Sequence, residues 1–74
     1  MTLDKVRKGQ IIKITGIPDE VIRARAIRFG ISEGSVVACR EVVPAGPVVI
    51  VKNKQEIAIG RSLSRSIMVE PYQK

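Results

Sequence analysis

Apolar and polar residues alternate in short runs along the chain, and the runs are separated by glycine, proline or asparagine. Alternation puts every second side chain on one face of a pleated strand, so such runs read as half-buried strands. Gln10–Ile17 is the first, with Ile12 and Ile14 in a period of two. Gly16 sits where a bulge would reset the alternation and turn Ile17 inward. Ser35–Val43 is the second, with Val37 and Cys39 on its inner face. Pro44-Ala45-Gly46-Pro47 turns the chain into Val48–Lys52. Asn53-Lys54 makes a tight turn, since asparagine tolerates positive φ. Gln55–Ile59 returns with Ile57 and Ile59 inward, and Gly60–Ser66 forms a short helical turn carrying Leu63 to the core. Ile67–Glu70 is the last strand and Pro71–Lys74 reads as a polar tail.

One segment breaks the period of two. From Asp19 to Phe29, Ile22, Ala26 and Phe29 recur at i, i+4 and i+7, which predicts a helix with one stripe facing the sheet. Asp19 is a suitable N-cap, Glu20 favours the positive helix end, and Arg28 suits the last turn. Gly30 supplies a left-handed residue after the helix, with apolar Ile31 behind it. Leu3 and Val6, three apart, are placed to plug one end of the core. The sum is a mainly β single domain over residues 1–74. It is a five-stranded barrel with one helix inserted after the first strand and a short helical turn before the last. Closing the sheet removes most of its exposed edges.

Composition narrows the chemistry. Ile and Val supply 21 residues, and Phe29 and Tyr72 are the only aromatics. There is no His and one Cys, which leaves no His/Cys zinc site, no Ser-His or Cys-His pair and no facial metal triad. The reading is a non-enzyme with no cofactor and no metal site. Cys39 lies within an apolar alternation and reads as a buried, inert thiol. A lone Cys and the lack of disulfide staples fit a reducing compartment. No apolar run exceeds four residues, as at Val48–Val51, against the ~18 that a membrane helix needs. The expectation is a cytoplasmic protein that reaches a membrane only through a partner.

Charge adds a surface. Thirteen Lys/Arg against seven Asp/Glu give +6, spread along the chain with no basic run longer than Arg7-Lys8. The densest group is Arg23, Arg25 and Arg28 on the helix. At 100° per residue Arg25 and Arg28 lie about 60° apart and Arg23 falls on the far side, so they make no phosphate-tracking stripe. Ile27 and Val21 lie outside the buried stripe, so either another segment of the chain covers them or the helix offers a partner-binding face. The candidate docking residues are therefore Arg23, Arg25, Ile27 and Arg28, with Pro44 and Pro47 of the hairpin loop beside them. Single-strand nucleic-acid binders need stacking aromatics, and neither aromatic is free for that role in this reading. Sequence-specific nucleic-acid contact is not expected.

The order of landmarks resembles the ferrous iron transport protein A (FeoA) family over roughly Leu3 to Val69. The landmarks begin with Leu3, Val6, Gly9, Ile14 and Ile17. Phe29-Gly30-Ile31-x-x-Gly34 is similar to that family's "LG-hydrophobic-x-P-G" segment. Pro44-x-Gly46-Pro47 with Val49 and Val51 is similar to its central hairpin. Ile57-Ala58-Ile59 and Leu63-Ser64-x-x-Ile67-x-Val69 resemble its closing segment. Glu33, Gly60, Ser64 and Ala26 depart from the usual Pro, basic residue, Ala and Leu. The resemblance implies an SH3-like barrel and a cytosolic accessory or regulatory role in ferrous iron uptake. It also implies a partner, a membrane iron permease with a GTP-binding domain (FeoB-type), at the inner face of the membrane. The alternatives are an SH3-like metal-regulator-type module and a basic nucleic-acid-associated barrel.

Overall fold

The computed structural model describes residues 1–72. A 3-10 turn at Leu3–Lys5 precedes strand β1 (Ile11–Gly16), helix α1 (Glu20–Arg28), β2 (Val36–Val42), β3 (Val48–Lys52) and β4 (Gln55–Ile59). The short helix α2 (Arg61–Ser64) and β5 (Met68–Pro71) complete it. All five strands form one antiparallel sheet in the order β4-β3-β2-β1-β5. This is the mainly β, helix-inserted arrangement expected from the alternation. β3 and β4 begin and end where the sequence places them, and the other elements move by one or two residues at their ends. Pro71, read as the start of a tail, is the last residue of β5, and Tyr72 N–H donates to Ile11 O at 2.9 Å. Residues 73–74 of that tail lie outside the described residues.

The inner face follows the predicted alternation. Ile12, Ile14, Val37, Cys39, Val48, Ile50, Ile57, Ile59 and Val69 are all buried. Leu3, Val6 and Ile17 join them in one core. Burying branched aliphatics of this size contributes roughly 1.5–3 kcal/mol each, which is what a chain this short depends on. Ser64 is the one buried polar residue among those described, and its hydroxyl donates to Arg61 O at 2.8 Å. The departure from Ala at that position is thus accommodated without an orphaned group.

Two bulges adjust the alternation. One lies in β1 between Ile14 and Gly16, where the pairing to β5 shifts, and it turns Ile17 inward as the sequence suggests. The other lies in β2 between Cys39 and Glu41. There Arg40 and Glu41 both face solvent, and Val42 returns to the core side.

The turns hold most of the positive φ values. Asn53 and Lys54, at φ 50° and 66°, form the expected two-residue hairpin turn. In the β2–β3 hairpin, Gly46 N–H donates to Val43 O at 2.8 Å across Pro44 and Ala45. Ala45 takes φ 56° there, the position where this turn type prefers glycine. Gly46 is needed for space, since a Cβ would stand 2.8 Å from Val43 Cγ1.

The sheet ends differ. The outer edge of β5 is taken by the N-terminal residues: Val69 N–H donates to Met1 O at 2.8 Å and Leu3 N–H to Ile67 O at 2.9 Å. β4 stands at the other end of the order, with no strand beyond it among the described residues. The barrel is therefore partly open, and the segment through α2 spans from one end strand to the other.

Candidate functional site

Helix α1 shows why the candidate face takes the shape it does. Asp19 caps it as predicted, its carboxylate accepting from Val21 N–H at 2.9 Å and Ile22 N–H at 3.2 Å. At the other end Gly30 (φ 78°) donates to Ile27 O and Ile31 N–H donates to Ala26 O, both at 2.9 Å. That double bond pattern packs the residue after the glycine back on the helix. Ile31 and Ala26 are accordingly buried together in the core. Phe29 does not belong to the buried stripe. As the C-cap it leaves helical geometry, and its side chain is 48% exposed. The expected core stripe Ile22, Ala26, Phe29 is corrected to Ile22, Ala26, Ile31.

The predicted docking residues separate into three groups. Arg23 is used internally: its Nε donates to Ile17 O at 3.1 Å and its Nη2 meets Glu33 at 3.3 Å. It holds the start of α1 to the end of β1 and to the loop before β2. Glu33, one of the departures from the family pattern, is the acceptor in that link. Arg25, Ile27 and Arg28 remain exposed, Ile27 at 58%; Arg28 lies beside Ile27 in one groove and Arg25 lines the next. Neither Arg25 nor Arg28 has an ion-pair partner among the described residues. Pro44 and Pro47 stand apart from them. The hairpin carrying them opens from the Val48 end of β3, while the α1 terminus is tied to the other end, where the Lys52 ammonium donates to Gly30 O. Pro44 and Pro47 are held instead near α2, where Arg61 Nη2 donates to Val43 O at 2.7 Å and Nη1 to Asp4 O at 3.2 Å.

Sequence reasoning missed the opposite wall of the face. Two grooves of about 520 and 390 Å³ meet where Phe29 faces Ala58. The first lies between the end of α1 and β4 (Gln55–Ala58), and the second runs on past Arg25 to Gly60 and Leu63. Together they make one trough along β4. The glycine-based helix ending, already visible in Gly30-Ile31, was the signal that Phe29 would be displaced outward. No signal in the residues marked β4 as the end strand, because strand order is set by the whole topology.

The groups that could carry other chemistry are few. Cys39 is buried, and burial pushes its thiol pKa up, partly opposed by a backbone hydrogen bond with Glu41. That environment disfavours a nucleophilic thiolate. No group of three His, Cys, Asp or Glu side chains converges in metal-binding geometry among the described residues. No helix among them is long and apolar enough to cross a membrane.

The solved structures this fold resembles fall into two sets. One is a crystal structure of an iron uptake regulatory protein (FeoA), at TM-score 0.89 and 23% identity, with 97% of each chain covered. A FeoA-like protein from Clostridium acetobutylicum follows at TM-score 0.85 and 20% identity, covering 100% of this chain and 88% of that one. The second set contains a manganese-dependent transcriptional repressor, at TM-score 0.85 and 19% identity. The domain covers 97% of this chain but 41% of that regulator. The SH3-like barrel with an inserted helix is the fold they share. No curated protein matches the sequence. The family model of the FeoA domain matches residues 1–71. Since that match takes in the capped helix, the sheet and its N-terminal seal together, the chain belongs to the FeoA domain family.

Proposed function

We propose that the protein is a non-enzymatic, cytosolic accessory or regulatory subunit for ferrous iron uptake, which docks on the GTP-binding cytosolic part of a membrane iron permease. FeoA domain membership implies involvement in ferrous iron transport. The observation that carries the docking reading is the open face of α1. There Ile27, Arg28 and Phe29 line one groove and Arg25 and Phe29 the adjoining one, and no carboxylate of the described chain neutralises either arginine. An exposed apolar pair with basic neighbours suits an acidic, partly apolar protein surface, and burying the pair on a partner supplies the driving force. Arg23 supports this face by fixing the helix, and Pro44–Pro47 is a separate, lesser contact. The iron is cargo of the partner in this reading.

The test is capture of the permease's cytosolic region by the wild type and by an Ile27→Glu, Arg28→Glu double variant. Capture by wild type and loss in the variant is the expected result. Equal capture by both removes the site, and no capture by wild type removes the partner.

The metal-regulator-type reading draws on the likeness to a manganese-dependent repressor, which is a likeness of fold alone. That reading and the nucleic-acid-associated barrel share one discriminating assay. Retention of DNA or RNA on a filter at low salt, falling steeply as salt rises, would favour them over permease docking.

A further inference from the structure

We propose that the trough between α1 and β4 binds an extended segment of a partner protein by strand addition to the free edge of β4. This deepens the docking reading above and rests on it for the identity of the partner. The segment is one whose apolar residues alternate with carboxylates.

The argument begins with hydrogen-bond accounting. The two-residue turn at Asn53-Lys54 makes Lys52 and Gln55 a hydrogen-bonded pair. Pairs then alternate along an antiparallel ladder, so Ile50–Ile57 and Val48–Ile59 are bonded and Val51–Glu56 and Val49–Ala58 are not. The N–H and C=O of Glu56 and Ala58 therefore point away from β3. They point toward the trough, whose wall both residues form. β5 has its outer edge covered by Met1–Leu3, whereas β4 has no strand beyond it among the described residues.

Natural sheets usually blunt a bare edge with a proline, a bulge or an inward charge. β4 has no proline, its pairing to β3 runs without a register shift, and its Ile57 and Ile59 point inward. The one acidic side chain on it, Glu56, is held by Arg40 at 2.9 Å and so is turned toward β2. From Gln55 to Gly60 the edge spans roughly 20 Å at ~3.3 Å per residue, room for a strand of five or six residues. Phe29, at the middle of the trough, offers an apolar platform, and Ile27 and Leu63 lie to either side.

Charge chooses the occupant. Arg25 and Arg28 line the α1 wall, one in each groove, with no ion-pair partner among the described residues. A second copy of this chain would bring +6 against +6 and its own arginines to the same rim. A segment of alternating carboxylates and apolar residues meets both the arginines and Phe29. Backbone pairing supplies affinity in this mode, and the alternating side chains supply specificity.

The experiment titrates the 15N-labelled protein with a capped hexapeptide of alternating glutamate and valine. Two control peptides accompany it. One carries N-methyl groups on alternate amides, and the other has lysine in place of glutamate. Saturable shifts at Glu56, Ala58 and Phe29–Gly30 are expected, with hydrogen exchange at the Glu56 and Ala58 amides slowed at least tenfold. Both control peptides should bind at least tenfold more weakly. Equal binding of the N-methylated peptide overturns the proposal, as do shifts elsewhere or no shifts at millimolar peptide. Shifts at β4 that depend on protein concentration without peptide also overturn it, since they assign the edge to a second copy.

Ala58→Pro supplies a variant. It removes an N–H that faces the trough while sparing the ladder to β3. If Ala58→Pro still captures the permease region while the Ile27→Glu, Arg28→Glu variant does not, strand addition is overturned and docking on α1 stands. If wild type captures nothing, the permease reading falls, and the peptide titration decides strand addition by itself.

Discussion

The two end strands of the sheet have met the same physical problem with opposite outcomes. β5 carries its spare backbone groups into bonds with Met1 and Leu3, and those bonds place Leu3 in the core. β4 keeps Glu56 and Ala58 unpaired beside a trough whose far wall is Phe29 and the arginines of α1. One edge is sealed by the chain itself, and its residues are bound up with stability. The other is left bare, and its residues are free to serve recognition. A substitution should therefore read out as unfolding at the first edge and as lost binding at the second.

The strongest test of that division is Leu3→Ala. It empties a fully buried site and should lower stability by roughly 2–5 kcal/mol in thermal or urea unfolding. A loss below about 1 kcal/mol would mean the seal is ornamental. Arg61→Ala should come next. Its guanidinium ties α2 to both Asp4 O and Val43 O, and losing those bonds should cost about 1–3 kcal/mol in the same measurement. Hydrogen exchange then compares the edges directly. Val69 and Leu3 amides should exchange far more slowly than those of Glu56 and Ala58, and similar rates at both would erase the contrast. Phe29→Ala sharpens it from the other side. Although an aromatic is removed, its half-exposed position should hold the change in stability to within about 0.5 kcal/mol, while capture of the permease region falls. Ala45→Gly is the smallest. It relieves positive φ in a hairpin remote from the trough and should raise stability by a few tenths of a kcal/mol without touching binding.

Much of this sheet could be read from residues alone because its signals are local. Val48–Lys52, Asn53-Lys54 and Gln55–Ile59 state their own strand, turn and strand, and the core residues of β1, β2 and β4 follow from alternation. Gly16 and Gly30 were informative for the same reason, since each acts on its immediate neighbours. What escaped was decided by competition between distant groups. Phe29 and Ile31 both suit the one core position beneath α1, and the bonds of Gly30 and Ile31 to the helix end award it to Ile31. Arg23 looks like its two neighbours in composition. Only the fold brings Ile17 O and Glu33 within its reach and gives it a role in tying α1 to its neighbours. The bulge at Arg40 and the bare edge of β4 are properties of pairing, which no single segment encodes.

The N-terminal seal also governs how copies of the chain can meet. With β5 covered, the sheet has one bare edge among the described residues, so edge-to-edge pairing of two copies uses up both edges and stops at a dimer. Were Met1–Leu3 to fray, β5 would become a second bare edge at the opposite end of the sheet. Each copy would then present a head and a tail, and pairing could propagate into an open chain. Two backbone bonds from Val69 and Leu3 thus separate a self-limiting contact from a polymerising one.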